Sequence, residues 1–138
     1  MAAVAAGSMR RRRGATGALL VAVASLARAE PPCDANAGAE VFATKCATCH
    51  TALAGQNGPV GPTLFGVVGR RPASIAGFSY SSAMNDRREP WTRASLDWFL
   101  FDPPNRIPGT LMAFSGLKND SARAAVICYL AAQDAAAP

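Results

Sequence analysis

Residues 46–50 read Cys46-Ala47-Thr48-Cys49-His50. Two thiols three positions apart, followed at once by an imidazole, form the Cys-x-x-Cys-His signature through which a c-type haem is attached. On one turn of helix both sulfurs and the ring face the same side. The thiols add to the two vinyl groups of the porphyrin, and the ring binds its iron. Competing readings lack context. A redox dithiol belongs near a βαβ pattern, and no strand pattern precedes Cys46. A structural zinc site needs four ligands in matched pairs, whereas the other cysteines, Cys33 and Cys128, each stand alone. His50 is the only histidine of the chain, so it is no spare core histidine.

The 138 residues suffice for one small domain. Residues 1–29 do not read as fold. Met9-Arg10-Arg11-Arg12-Arg13 is a positive n-region, Gly14 to Leu26 is a weakly apolar run, and Ala27-Arg28-Ala29 offers small residues to a signal peptidase. The expectation is a cleaved secretory signal over 1–29, a mature domain over 30–138, and the periplasm as destination. The mitochondrial intermembrane space is the weaker alternative. A retained anchor is disfavoured, because about 13 residues at 1.5 Å each fall short of a bilayer core of about 30 Å. No run of 18 apolar residues exists, so no stable membrane insertion of the mature chain is expected. Cleavage would remove five arginines and no acid, leaving nine basic and nine acidic residues. The formal charge of +5 therefore belongs to the export segment, and no nucleic-acid partner is expected.

Along the mature chain, Asp34 caps a helix running to Lys45, with Gly38, Val41 and Phe42 on one face. Gly55, Gly58, Pro59, Gly61, Pro62, Gly66 and Gly69 then punctuate a long loop. Such a loop needs something to fill it, and glycines let backbone approach a flat ligand closely. Tyr80 to Asp86 reads as a short helix. Thr92 caps a helix over Arg93 to Phe101, which Pro103-Pro104 ends. Ile107 to Met112 is a second loop, and Asn119 caps a last helix to about Gln133. The fold class is all-α, with three main helices plus short helices and long loops around one covalently attached haem. Cys33 and Cys128 bridge if the compartment is oxidising. Otherwise Cys128 is a small buried hydrophobe and Cys33 lies in a frayed terminus. Both readings stay open.

A six-coordinate haem needs a second ligand, and no second histidine exists. Of the two methionines left after cleavage, Met84 sits in the polar stretch Ser81-Ser82-Ala83-Met84-Asn85-Asp86, whereas Met112 sits in a Pro-Gly loop beside Leu111, Ala113 and Phe114. Met112 is the expected ligand. His/Met ligation raises the haem potential, and it closes both axial positions. That suits a soluble, monomeric one-electron carrier without catalytic residues. A peroxidase-like haem enzyme would need an open iron and a distal acid–base residue. A docking module of a larger oxidase is the less expected reading, since no second domain or coiled-coil segment is read in these residues.

Taken together, Gly38, Phe42, residues 46–50, Gly61-Pro62-Thr63-Leu64, Gly69-Arg70, Gly77-Phe78-Ser79-Tyr80, Trp91, Pro108-Gly109-Thr110-Leu111-Met112-Ala113-Phe114 and Tyr129-Leu130 resemble the class I c-type cytochromes, of the mitochondrial type and its bacterial periplasmic counterparts. The resemblance spans nearly the whole mature domain. It implies one haem c bound through Cys46 and Cys49, with His50 and Met112 on the iron, and membrane or soluble redox proteins as partners. Pro62 would fix the His50 ring. Tyr80 and Trp91 would hydrogen-bond a buried haem propionate, Arg70 would offset its charge, Thr110 would close that edge, and Phe114 would cover the exposed edge. The chain departs from the family in three places. Phe99 and Met84 stand where the family usually has a tyrosine and an asparagine, which thins the polar network beside Met112. Pro104, Asn105 and Leu111 stand where docking lysines are common, so an apolar patch of Val60, Pro104, Leu111 and Ala113 is the expected docking surface.

Overall fold

A computed structural model describes residues 1–3 and 33–135. Residues 4–32, and with them the export signal and its cleavage point, lie outside the described residues. Among the described residues five helices follow in order: α1 (Ala35–Lys45), α2 (Ser82–Asn85), α3 (Arg93–Phe101), α4 (Pro103–Arg106) and α5 (Asp120–Ala135). Among the described residues there is no strand, and the all-α expectation holds.

The helix starts follow local chemistry. The Asp34 carboxylate accepts the Ala37 amide at 2.9 Å, satisfying one of the first-turn donors that a helix leaves open. Thr92 and Ser95 form a reciprocal capping box: the Ser95 amide donates to Thr92 Oγ1 at 3.0 Å and the Thr92 amide to Ser95 Oγ at 2.8 Å. Asn119 Oδ1 accepts from Ala122 at 2.8 Å. The prolines behave differently from the expectation. They do not simply end α3, which stops at Phe101, but open the one-turn helix α4, since proline lacks a donor that the first turn would leave unused anyway.

The long helices α1 and α5 pack face to face, and α3 closes on α5 from another side. A Cβ on Gly38 would lie 2.7 Å from both the Ala125 carbonyl carbon and Tyr129 Cβ, so the α1 backbone rests directly on α5. One turn further on, the Phe42 and Tyr129 rings meet at 5.4 Å. Cys33, just ahead of α1, is disulfide-bonded to Cys128 on α5, with Cα atoms 5.5 Å apart. Gly38→Ala has two opposed effects. Helix propensity gains about 1 kcal/mol, but overpacking against backbone that cannot rotate away costs more. A net loss of about 2 kcal/mol or more is expected in urea unfolding.

Phe42, Trp91, Leu96, Phe99, Ile107, Val126, Ile127 and Leu130 form the core, with the Trp91 and Phe99 rings 5.2 Å apart. Among the described residues one charged side chain is buried with them. Arg123 is 6% exposed, and its donors reach Asp97 at 2.8 Å, Asp120 at 2.8 Å and the Leu117 carbonyl at 2.9 Å. A buried guanidinium so satisfied ties α5 to α3 and to the loop before it. That loop turns at Gly116, whose φ of 98° and contact with the Phe101 carbonyl carbon (2.7 Å from a Cβ placed there) exclude a side chain.

Candidate haem site

Helix α1 delivers the Cys-x-x-Cys-His stretch. The Phe42 carbonyl accepts both the Cys46 and Ala47 amides at 2.9 Å, ending the helix at Lys45. The Cys46 carbonyl then accepts from Cys49 at 3.0 Å and from His50 at 2.9 Å. The five residues therefore form a closed turn after α1, where the sequence suggested a continuing helical turn. Both thiols are free and half-buried. Burial, with the Cys49 thiol close by, pushes the Cys46 thiol up to about 11. A thiol so held is neither a ready redox nucleophile nor a ready zinc thiolate. Among the described residues no group of three or more His, Cys, Asp or Glu is placed to hold a metal ion.

The His50 ring is fixed from the side facing the loop. Its Nδ1 lies 2.7 Å from the Pro62 carbonyl oxygen. Only a protonated Nδ1 makes that bond, so the Nε2 lone pair is left for a metal. Burial lowers the His50 pKa and outweighs the opposing Pro62 bond, keeping the ring in its neutral, ligating form. The loop can come this close because it is glycine there. A Cβ on Gly61 would collide with the ring, lying 2.5 Å from Nδ1, and one on Gly58 would lie 2.6 Å from the His50 Cα. The Gly61 amide donates to the Cys49 carbonyl at 2.8 Å, which locks loop and turn together.

A second cluster gathers Arg70, Tyr80 and Trp91. Backbone bonds bring the first and last together: Gly69 donates to the Trp91 carbonyl at 2.6 Å and Trp91 to the Arg70 carbonyl at 2.9 Å. The Arg70 guanidinium reaches the Thr63 carbonyl at 2.8 Å and the Phe65 carbonyl. Burial raises the Tyr80 pKa, while a bond to the Ile75 backbone and the Arg70 charge pull it back, so Tyr80 and Arg70 sense one another. Trp91 is 6% exposed.

The third part is the loop before α5. The Thr110 amide donates to Ile107 at 3.0 Å, the Met112 amide to Thr110 Oγ1 at 3.3 Å, and the Phe114 amide to the Met112 carbonyl at 2.9 Å. Met112 and Phe114 are half-buried, and Met112 packs against the core. Leu111 between them is 75% exposed. Met84 also packs against the core, a placement its polar neighbours did not suggest. Sequence reading also missed the cations gathered around Trp98 of α3. Arg87 and Arg106 each lie 5.4 Å from the Trp98 ring centre, in a spacing that carries no motif.

The donor set fits a covalently attached haem: two free thiols in one turn, a neutral imidazole with Nε2 unused, a half-buried thioether on a separate loop, and an Arg–Tyr–Trp cluster suited to carboxylates. Comparison with known proteins agrees. Residues 35–134 match the family model described as cytochrome c. The chain is 46% identical over 112 residues to cytochrome c of Guizotia abyssinica, covering 81% of this chain and all of that one. It is 43% identical over 97 residues to cytochrome c of Cochliobolus lunatus (70% of this chain, 90% of the relative) and 43% identical over 100 residues to that of Ginkgo biloba (72% and 88%).

These relatives correct the expected location. They come from plants and a fungus, whose cytochrome c is of the mitochondrial type, and this points to the intermembrane space rather than the periplasm. The physical cause of the misreading lies in residues 1–29, which are rich in arginine and free of acid, a composition that export and mitochondrial import segments share. Motif, geometry and likeness converge, and the chain belongs to the cytochrome c family: an electron carrier with one covalently attached haem c, and not an enzyme.

Proposed function

We propose that this chain shuttles single electrons between larger redox complexes through a haem ligated by His50 and Met112. The His50 Nδ1 to Pro62 bond carries the reading, because it orients the ring and reserves Nε2. Cys46 and Cys49 hold the porphyrin covalently. Met112 would be the second ligand, offered by a loop pinned by Thr110 and Ile107. Tyr80 and Trp91 would hydrogen-bond a haem carboxylate, Arg70 would offset its charge, Thr110 would close that edge, and Phe114 would cover the exposed edge. When bound, the haem supplies a ferric/ferrous couple that needs no proton or substrate. The residues around it would keep both ligands in place in either oxidation state, so little would reorganise as the electron moves.

Docking relies on apolar contact more than on charge. Leu111 and Val60 are 75% and 68% exposed. Lys118 is drawn away: its ammonium donates to the Phe101 carbonyl at 2.6 Å, lies 3.4 Å from Asp102, and sits 4.3 Å from the Phe101 ring centre. The test is stopped-flow oxidation of the reduced protein by respiratory membranes. Electron transfer is expected, with a rate that changes less than about threefold between low and physiological salt, because screening acts on exposed charge. No transfer, or a rate that collapses as salt rises, would contradict the reading.

A further inference from the structure

The residue that the haem reading leaves unexplained is Arg87. It follows the end of α2, and its amide donates to the Met84 carbonyl at 3.3 Å. Its side chain does not run into solvent. The guanidinium carbon lies 5.7 Å from the Trp91 ring centre and 5.4 Å from that of Trp98. Its Nε is buried with no hydrogen-bond partner. No salt bridge joins it to a carboxylate among the described residues, and Asp97 and Asp102 are engaged by Arg123 and Lys118.

This arrangement is a poor way to gain stability. The long stem would cover Trp91 equally well with an uncharged tip. Contact with two indoles is favourable, but a buried donor left unmade works against it. A partly desolvated cation with an open donor calls for an anion. The anions that this protein acquires are the haem carboxylates, on the side where Trp91, Tyr80 and Arg70 gather.

We propose that Arg87 is a positioning residue of the haem site, clamping the Trp91 indole and adding a fixed positive charge behind it. Ferrous haem carries one positive charge fewer than ferric haem, so a nearby fixed cation favours the reduced state. Arg87 thereby raises the affinity of the iron for its electron, on the side opposite in purpose to Met84 and Phe99, which supply no polar support. The inference rests on the haem reading. A protein without a haem spectrum would defeat that reading, whereas a normal spectrum with an indifferent potential would defeat only this one.

The experiment is spectroelectrochemical titration of the full-length holoprotein and its variants. Arg87→Met keeps the stem and removes the charge, Arg87→Gln repeats the neutralisation with a polar tip, and Arg87→Lys keeps the charge without the planar stack. At a fixed electrode potential, neutralisation is expected to lower the ferrous-to-ferric ratio about threefold to tenfold, the order of a single charge acting across a protein interior. Arg87→Lys is expected to lose less than half of that effect. An unchanged ratio in a folded neutral variant would overturn the proposal. So would equal shifts in the lysine and neutral variants, which would show packing and not charge at work.

Discussion

Replacing Cys46 and Cys49 together by serine is expected to abolish covalent haem attachment, leaving a chain from which acidified organic solvent extracts all haem. The two thiols sit in one hydrogen-bonded turn, fixed by bonds to the Phe42 and Cys46 carbonyls, and no other free cysteine exists among the described residues. Each single serine variant should keep one thioether link, visible as a haem-sized mass increment and a shifted alkaline pyridine spectrum. The structural consequence should be as large as the chemical one. The loops over 51–81 and 107–119 carry few helical hydrogen bonds, and a loop of this length does not hold a compact shape without filling. The double variant is therefore expected to show a large loss of helical circular dichroism. A folded double variant with haem still covalently bound would contradict the assignment of these thiols.

The second large effect belongs to the other pair of cysteines. Cys33→Ala removes the bridge to Cys128 while leaving Cys128 as a buried thiol, 2% exposed. The bridge closes a loop of 95 residues in sequence. By the chain-entropy argument, cross-linking residues so far apart stabilises the fold by about 4–5 kcal/mol, and measured losses for native bridges run at about 2–5 kcal/mol. A loss in that range is expected in guanidinium unfolding of the ferric protein, with the haem spectrum before unfolding unchanged. Reductant should reproduce it in the wild type and do nothing further to the variant. The bridge holds the start of α1 on α5, beside the contact at Gly38, so the loss should appear as earlier cooperative unfolding and not as a frayed end. A midpoint equal to the wild type would show that helix packing alone holds these ends.

Much of this was legible in the sequence because it is local. Asp34, Thr92 and Asn119 announce their helices through side chains that reach amides three residues on, and a capping residue needs no tertiary partner to act. The Cys-x-x-Cys-His turn is legible for the same reason. Other features depend on distance in the chain. Whether Cys33 meets Cys128 is decided by how α1 lies on α5, which composition does not encode. Pro103-Pro104 reads as a stop signal, yet the same lack of donors starts α4. Met84 packs against the core although its neighbours in sequence are polar. The Arg87–Trp98–Arg106 cluster joins the segment after α2 to α3 and α4 at spacings that match no periodic pattern. The location was misread because arginine-rich, acid-free leaders serve more than one membrane system.

The most direct measurement is the absorption spectrum of the ferrous protein with and without carbon monoxide, for the wild type and Met112→Ala. If His50, held by Pro62, and Met112 take the two axial positions as proposed, the wild-type spectrum is expected to stay unchanged over minutes. Met112→Ala is expected to bind the gas at once, while Met84→Leu behaves as the wild type. Prompt carbon monoxide binding by the wild type, or a Met112→Ala spectrum that ignores the gas, would contradict a closed His50/Met112 electron carrier.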